Sequence, residues 1–428
     1  MNKNKDILII GFALFSMFFG AGNLIFPPYI GISSGSSWLI SFLGFILADV
    51  GIILLSIIAI SKAGSLQNVI GRAGKKFGIT LEFLMMLCLG PILVIPRTGA
   101  TTFEMSVLPL TKNFNPLLFS LIFFSITLLL TIKPTKVMDI IGKFLTPILL
   151  LSLAFLIVKG IVSPIGNLED VNSSDLFITG VTQGYQTMDA LGIGGIVALI
   201  MTSLVSKGYT DKNENISLAI KSALIACVGL TVVYGGLTFL GATASSLYDT
   251  NISQTALLIN ITHQLLGSTG TIMLAIVVGF ACLTTSIGLT SVTAKFFEDF
   301  TNKKLKYEHI VIFICVFSAI VSNFGVDKII QIAIPILSLI YPVTIVLVVM
   351  NIFKKIITND MTLKGAAYAT LLISLLNVID SLGISIQFVH QIPLANLGFN
   401  WILPAIIGGI VFSFIPAKSK STTTTPSL

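Results

Sequence analysis

The sequence predicts an all-α polytopic membrane protein of twelve transmembrane helices, with the first and sixth broken near their middles. Three observations carry that reading. The chain of 428 residues is 54% hydrophobic and 10% charged, with a mean hydropathy of +0.99, which is too apolar for a soluble domain of this size. Apolar windows of about 20 residues, the length that crosses a bilayer, recur from end to end. Lys and Arg cluster in alternate connecting segments, as the positive-inside rule requires.

The spans are expected near 7–31, 38–60, 79–106, 116–132, 137–160, 176–206, 216–243, 268–297, 307–324, 329–352, 366–389 and 398–416. Counted against them, twenty-one of the 25 basic residues lie on one side. Lys112, Lys159 and Lys328 lie on the other, and Arg97 falls within span three. Both termini are therefore expected on the cytoplasmic side. The net charge of +7 is scattered between apolar runs, which suits membrane anchors and not a nucleic-acid surface. Cys88, Cys227, Cys282 and Cys315 sit inside apolar segments and read as small core residues. Trp38 and Trp401 fall at the outer ends of their spans, where an interfacial belt would put them. Residues 251–266 read as a short helix over the outer face, and 417–428 as a disordered cytoplasmic tail.

Span one contains SMFFGAGNLIFPPYIG (16–31), in which Gly20, Ala21 and Gly22 precede the polar Asn23, and Pro27 and Pro28 follow. Interior glycine costs about 1 kcal/mol and proline about 3. In lipid, the freed backbone groups are tolerated only where they face protein or line a watery cavity. Span six contains GYQTMDALGIGG, with Thr187, Asp189 and several glycines in mid-span. Alone it reads equally as a close-packing face with one buried carboxylate. Paired with span one it points to a transporter site, because interrupted helices at corresponding positions of two halves mark such sites. Span eight carries Thr284, Thr285 and Ser286; such hydroxyls often only bond back to their own helix. Gly20, Asp189 and Thr285 each lie about 20 Å along their spans, so all three reach the midplane. Opened carbonyls and hydroxyls are hard, uncharged oxygen donors, which suit an exchangeable Na⁺ better than a divalent ion.

At FGAGNLIFPP (19–28), PRTGATTFE (96–104), GYQTMDALGIGG (184–195) and the span-eight hydroxyls ending in FFEDF, the sequence resembles the branched-chain amino acid transport system II carriers, the liv-type cation symporters of bacteria. The resemblance covers essentially the whole chain. It implies a LeuT-type inverted repeat, with helices one to five in residues 1–175, six to ten in 176–352 and two extra helices in 353–416. It also implies Na⁺-coupled uptake of L-leucine, L-isoleucine and L-valine across the bacterial cytoplasmic membrane, with no catalytic residues, no organic cofactor and no nucleic-acid or obligate protein partner. By the same resemblance, Na⁺ would be held at Ser16, Phe19, Ala281, Thr284 and Thr285. Substrate would lie against Gly20, Ala21, Gly22, Asn23, Leu24, Thr187, Met188, Asp189 and Ala190. Its aliphatic tail needs a dry, fitted pocket, for which the apolar residues nearby are Phe18, Phe19, Met188 and Ile193.

Other readings stay open at this point. Lys143, about 10 Å into span five, is a snorkelling lysine or a built-in substitute for Na⁺ that would make the carrier proton-coupled. Arg97 is a structural ion pair, an interface anchor or part of an outer gate. Asp49 and Asp380 are deep in their spans, where interhelical hydrogen bonding is as good an account as function. A proton-coupled carrier of another small neutral substrate and a transporter-like nutrient receptor are the alternative functions.

Overall fold

The computed structural model describes residues 3–111, 113–132, 137–171 and 175–416, with side chains from Leu149 onward in the helix that begins at Val137. The tail from 417 and the side chain of Lys143 lie outside the described residues. The first broken span is α1 (Lys3–Phe18) and α2 (Ala21–Ser34), bent by 73° across Phe19 and Gly20. Then come α3 (Trp38–Ile46), α4 (Ile52–Ala63), α5 (Leu66–Ile70), α6 (Lys75–Leu87) and α7 (Val94–Thr102), followed by α8 (Pro116–Ile132) and α9 (Val137–Val162). The second broken span is α10 (Leu176–Tyr185) and α11 (Ile193–Ser206). After it run α12 (Lys212–Thr243), α13 (Gln254–Phe300), α14 (Tyr307–Val321) and α15 (Val326–Ile352), then α16 (Asp360–Ser381), α17 (Gln387–Gln391) and α18 (Ile402–Ser413). Gly267, at φ +64°, divides α13. Its first part, 254–266, is the short helix expected from the sequence.

The expected count of twelve spans is not met. Among the described residues, eight helices are long and apolar enough to cross a membrane, nine if the bent pair counts as one. Helices α8 and α18 are apolar but only 17 and 12 residues long. At 1.5 Å per residue they reach about 25 and 18 Å, short of a hydrocarbon core of about 30 Å. Helix α9 runs 26 residues, and the part of it with described side chains, Leu149–Val162, is apolar. Hydropathy windows count apolar residues whether or not they continue one helix. The eleventh span accordingly ends at Ser381, and Gly383 and Gly398, both at positive φ, hold 382–401 largely out of helix.

Large apolar side chains such as Leu129, Phe155, Phe313 and Ile406 are exposed on the outer surface. That pattern fits a molecule whose surrounding solvent is lipid. Trp401 departs from the expectation of an interface anchor: it is buried, edge-on to Phe399, because the late start of α18 sets it among residues packed between α15, α16 and α18. The four cysteines are free and buried.

Small residues let the helices around the centre approach closely. A Cβ on Gly180 of α10 would stand 1.9 Å from the Ser41 carbonyl of α3, and one on Gly241 of α12 would stand 1.9 Å from the Pro28 carbonyl of α2. These contacts hold α3 against α10, and α2 against α12. They bring the π-helical turn Leu47–Gly51, which follows α3, beside the break after α10.

Candidate substrate and ion site

The two breaks meet, and Asn23 joins them. Its Oδ1 accepts from the Gly20 N–H at 3.1 Å, capping the start of α2. Its Nδ2 donates to Asp189 Oδ2 at 2.7 Å and to the Tyr234 hydroxyl of α12 at 2.5 Å. Asn23 is 1% exposed, and a buried amide of this kind is stable only when its hydrogen-bonding capacity is used. In the second span the chain leaves α10 at Gln186, turns at Met188 with φ +64°, and resumes in a short 3₁₀ turn, Asp189–Gly192. Thr187, within that break, donates to Asp49 Oδ1 at 2.8 Å and to the Gly184 carbonyl at 2.8 Å. Asp49, on the π-helical turn after α3, is buried and also interacts with Tyr234. Asp189 is only partly buried.

Near Asp189 stands Arg97 of α7, 2% exposed. Its Nη1 donates to the Gln186 carbonyl at 2.7 Å, and its guanidinium lies 5.3 Å from the centre of the Phe26 ring. The Asp189 charge attracts it.

A cavity of about 70 Å³ opens between these groups, lined by Gly20, Ala21, Gly22, Asn23, Thr187, Met188 and Asp189 from the two breaks, with Phe18, Arg97 and Thr285. A second cavity of about 440 Å³ adjoins it, bordered by Ser16, Phe19, Ala281, Thr284 and Thr285. Met17, Leu89, Gly192, Ile196, Thr285 and Leu289 border both. The expected substrate residues thus gather at one cavity and the expected ion residues at the other, with Thr285 between them. Leu24 and Ala190 are buried and border neither, as does Ile193. Thr284 Oγ1 donates to the Ala281 carbonyl at 2.9 Å and, more weakly, to that of Phe280 at 3.2 Å, so its lone pairs stay free to accept. Ser286 bonds Thr127 of α8 at 3.3 Å and belongs to packing.

Sequence reasoning left out Tyr234, a lone tyrosine in an apolar helix with no motif around it, and did not connect Gln186, part of the interrupted span six, with the Arg97 that its carbonyl holds. Asp49 and Arg97 stood out only as charged residues in a membrane span. Asp380 is elsewhere: it accepts from the Ile386 N–H at 2.7 Å and pairs with His390 at 3.0 Å near the end of α16.

The family described as branched-chain amino acid transport protein matches residues 3–419. The chain belongs to that family. It is a family of transporters, not of enzymes, and membership makes this a multi-pass bacterial membrane protein. The branched-chain amino acid permease BraB of Bacillus subtilis (strain 168) is 36% identical over 422 residues, covering 95% of this chain and 94% of that one. Among solved structures, Mhp1, a nucleobase-cation-symport-1 family transporter in a closed conformation with bromovinylhydantoin bound, aligns with a TM-score of 0.61 at 14% identity, over 95% of this chain and 91% of that one. MhsT in complex with L-phenylalanine aligns with a TM-score of 0.58 at 16% identity, over 94% and 97%. At such identities the likeness speaks for the fold, which is LeuT-like.

Proposed function

We propose that this chain is a secondary active carrier that brings leucine, isoleucine and valine into the cell with Na⁺, by alternating access of a site between its two broken helices. The observation that carries the proposal is the hydrogen bond from Asn23 to Asp189, which couples the two breaks beside a cavity lined by both. Residues 1–175 and 176–352 serve as the two inverted repeats, and both termini are cytoplasmic. Substrate lies at the smaller cavity. Its carboxylate meets the N–H groups at the start of α2, where the helix dipole is positive, and its ammonium meets Asp189 and opened carbonyls of the breaks. Phe18 and Met188 border the same space and suit an aliphatic tail. Such a pocket distinguishes neighbours by only about 1–3 kcal/mol per methylene, which accords with taking all three branched substrates.

Na⁺ is cargo here. Ser16, Phe19, Ala281, Thr284 and Thr285 border one cavity, and their carbonyl and hydroxyl oxygens offer a hard, uncharged donor set suited to a monovalent ion. Ion held between α1 and α13 would steady the break from which the substrate site is built, so each ligand would raise the affinity of the other by the same factor. The test is uptake of radiolabelled leucine into proteoliposomes under imposed Na⁺ or H⁺ gradients, competed by each of the other amino acids. Accumulation driven by Na⁺ and competed only by isoleucine and valine is expected. Accumulation driven by H⁺ alone would overturn the Na⁺ assignment, and binding without accumulation would indicate a receptor.

A further inference from the structure

Arg97 is more than a counter-charge. It is buried, 2% exposed, yet its hydrogen bonding is incomplete. Nη1 is held by the Gln186 carbonyl at 2.7 Å, which fixes the plane of the guanidinium. Nε is buried without a partner, and Nη2 forms no hydrogen bond among the described residues. Nη2 lies over Gly22, so close that a Cβ there would stand 2.8 Å from it. Gly22 is in the first turn of the 14-residue α2, whose leading N–H groups have no intrahelical acceptor. A guanidinium with spare donors and the positive end of a helix therefore converge on one side of the cavity that both line.

Two like poles converging in a buried place are stable only with an anion near. Asp189 lies within electrostatic reach but leaves the guanidinium unbonded, its Oδ2 accepting from Asn23, while Asp49 accepts from Thr187. Arg97 and Asp189 attract each other without closing into an ion pair, among the described residues. That leaves a guanidinium with spare donors and a carboxylate lining one space, one charge for each end of a zwitterion.

We propose that Arg97 and the N-terminus of α2 together form the subsite for the substrate's carboxylate, so that Arg97 sets the requirement for an α-amino acid over the corresponding amide or amine. The inference rests on the reading of this cavity as the amino acid site. A guanidinium presents donors in a planar fork that matches a carboxylate, while Asp189 holds the ammonium. Leucinamide keeps the ammonium and the aliphatic tail but is neutral where Arg97 waits.

The test measures inhibition of radiolabelled leucine uptake by unlabelled leucine and by leucinamide, in proteoliposomes containing wild type, Arg97→Gln or Arg97→Lys. Wild type is expected to prefer leucine by about 100-fold or more, the size of effect associated with a buried charge partner. In Arg97→Gln that preference should fall to within about threefold, through loss of leucine affinity with leucinamide affinity kept. If Arg97→Gln does not fold, the ratio is read in Arg97→Lys, where a point charge replaces the fork and the preference should fall at least tenfold. A purely structural arginine would weaken both ligands together and leave the ratio where it was; that result in a folded variant would overturn the proposal. Wild type that carries leucine with no preference over leucinamide would overturn it as well, while leaving the transport reading intact. Wild type that carries no branched-chain amino acid would overturn the reading beneath it.

Discussion

Asn23 carries three hydrogen bonds with one side chain, and removing it leaves the Gly20 N–H, Asp189 and Tyr234 each short of a partner. Each buried group stranded in this way costs about 1–3 kcal/mol. Asn23→Ala is therefore expected to lower the melting temperature in detergent by several degrees and to abolish uptake. Asn23→Asp, which keeps the acceptor for Gly20 but sets a new carboxylate against Asp189, should lose uptake with a smaller loss of stability; thermal unfolding and transport measured together separate the two. Thr187→Val is nearly isosteric and strips Asp49 of a bond of 2.8 Å, for an expected loss of about 1–3 kcal/mol. For the ion, Thr284→Ala combined with Thr285→Val removes two of the proposed oxygen ligands. It should raise the Na⁺ concentration for half-maximal leucine uptake by about tenfold or more, with the protein still inserted; an unchanged Na⁺ dependence would sink the ion assignment.

Among the elements, α3 and α10 depend on backbone contact. Gly180→Ala places a methyl 1.9 Å from the Ser41 carbonyl, a clash with backbone that no rotamer relieves. The cost of such overpacking is about 1–3 kcal/mol or more. Gly195→Ala meets nothing closer than 3.8 Å and should leave the melting temperature nearly unchanged, so the pair distinguishes close packing from mere glycine content. Elsewhere, Glu104 ties two elements together. Its carboxylate accepts from the Thr255 hydroxyl at 2.6 Å, near the start of α13, and from the Val326 N–H at 2.9 Å, at the start of α15. Glu104→Ala should speed amide hydrogen exchange across 254–266, since that segment opens more readily once its tether is gone. The broken spans are joined again at their ends, where Asp6 of α1 accepts from Lys207 at 2.6 Å and from Tyr209 at 2.9 Å, just past α11.

For the whole molecule, the exposed apolar surface calls for a bilayer, and the distribution of basic residues gives it a direction. A cysteine placed at Lys3 in a chain whose native cysteines are replaced should react with an impermeant maleimide only after the cells are opened. Reaction in intact cells would reverse the proposed orientation. The native four should be slow to react in detergent, as all are buried.

The two breaks of the candidate site were legible because their cause is local. Glycine, proline and asparagine interrupt an apolar run only at a cost, so Gly20 to Asn23 and the stretch around Asp189 announced their own breaks, and helical rise put both near the same depth. The cost of those residues says nothing about their neighbours. Tyr234 and Gln186 join the site through contacts 211 residues away from Asn23 and 89 from Arg97; Tyr234 has no local signature, and the polar Gln186 in mid-span says nothing of Arg97. Arg97 and Asp49 were visible as charges, but whether each is paired or waiting depends on helices that meet only in the folded chain. The span count went astray for a related reason: hydropathy registers apolar content, while a span needs continuous helix. The sequence by itself determined a membrane protein with two broken helices, because composition and helix-breaking residues act along the chain. Only the tertiary structure decided that the breaks join through Asn23 and Asp189 beside an incompletely bonded arginine, because hydrogen bonds between distant helices exist only once packing has set their distances.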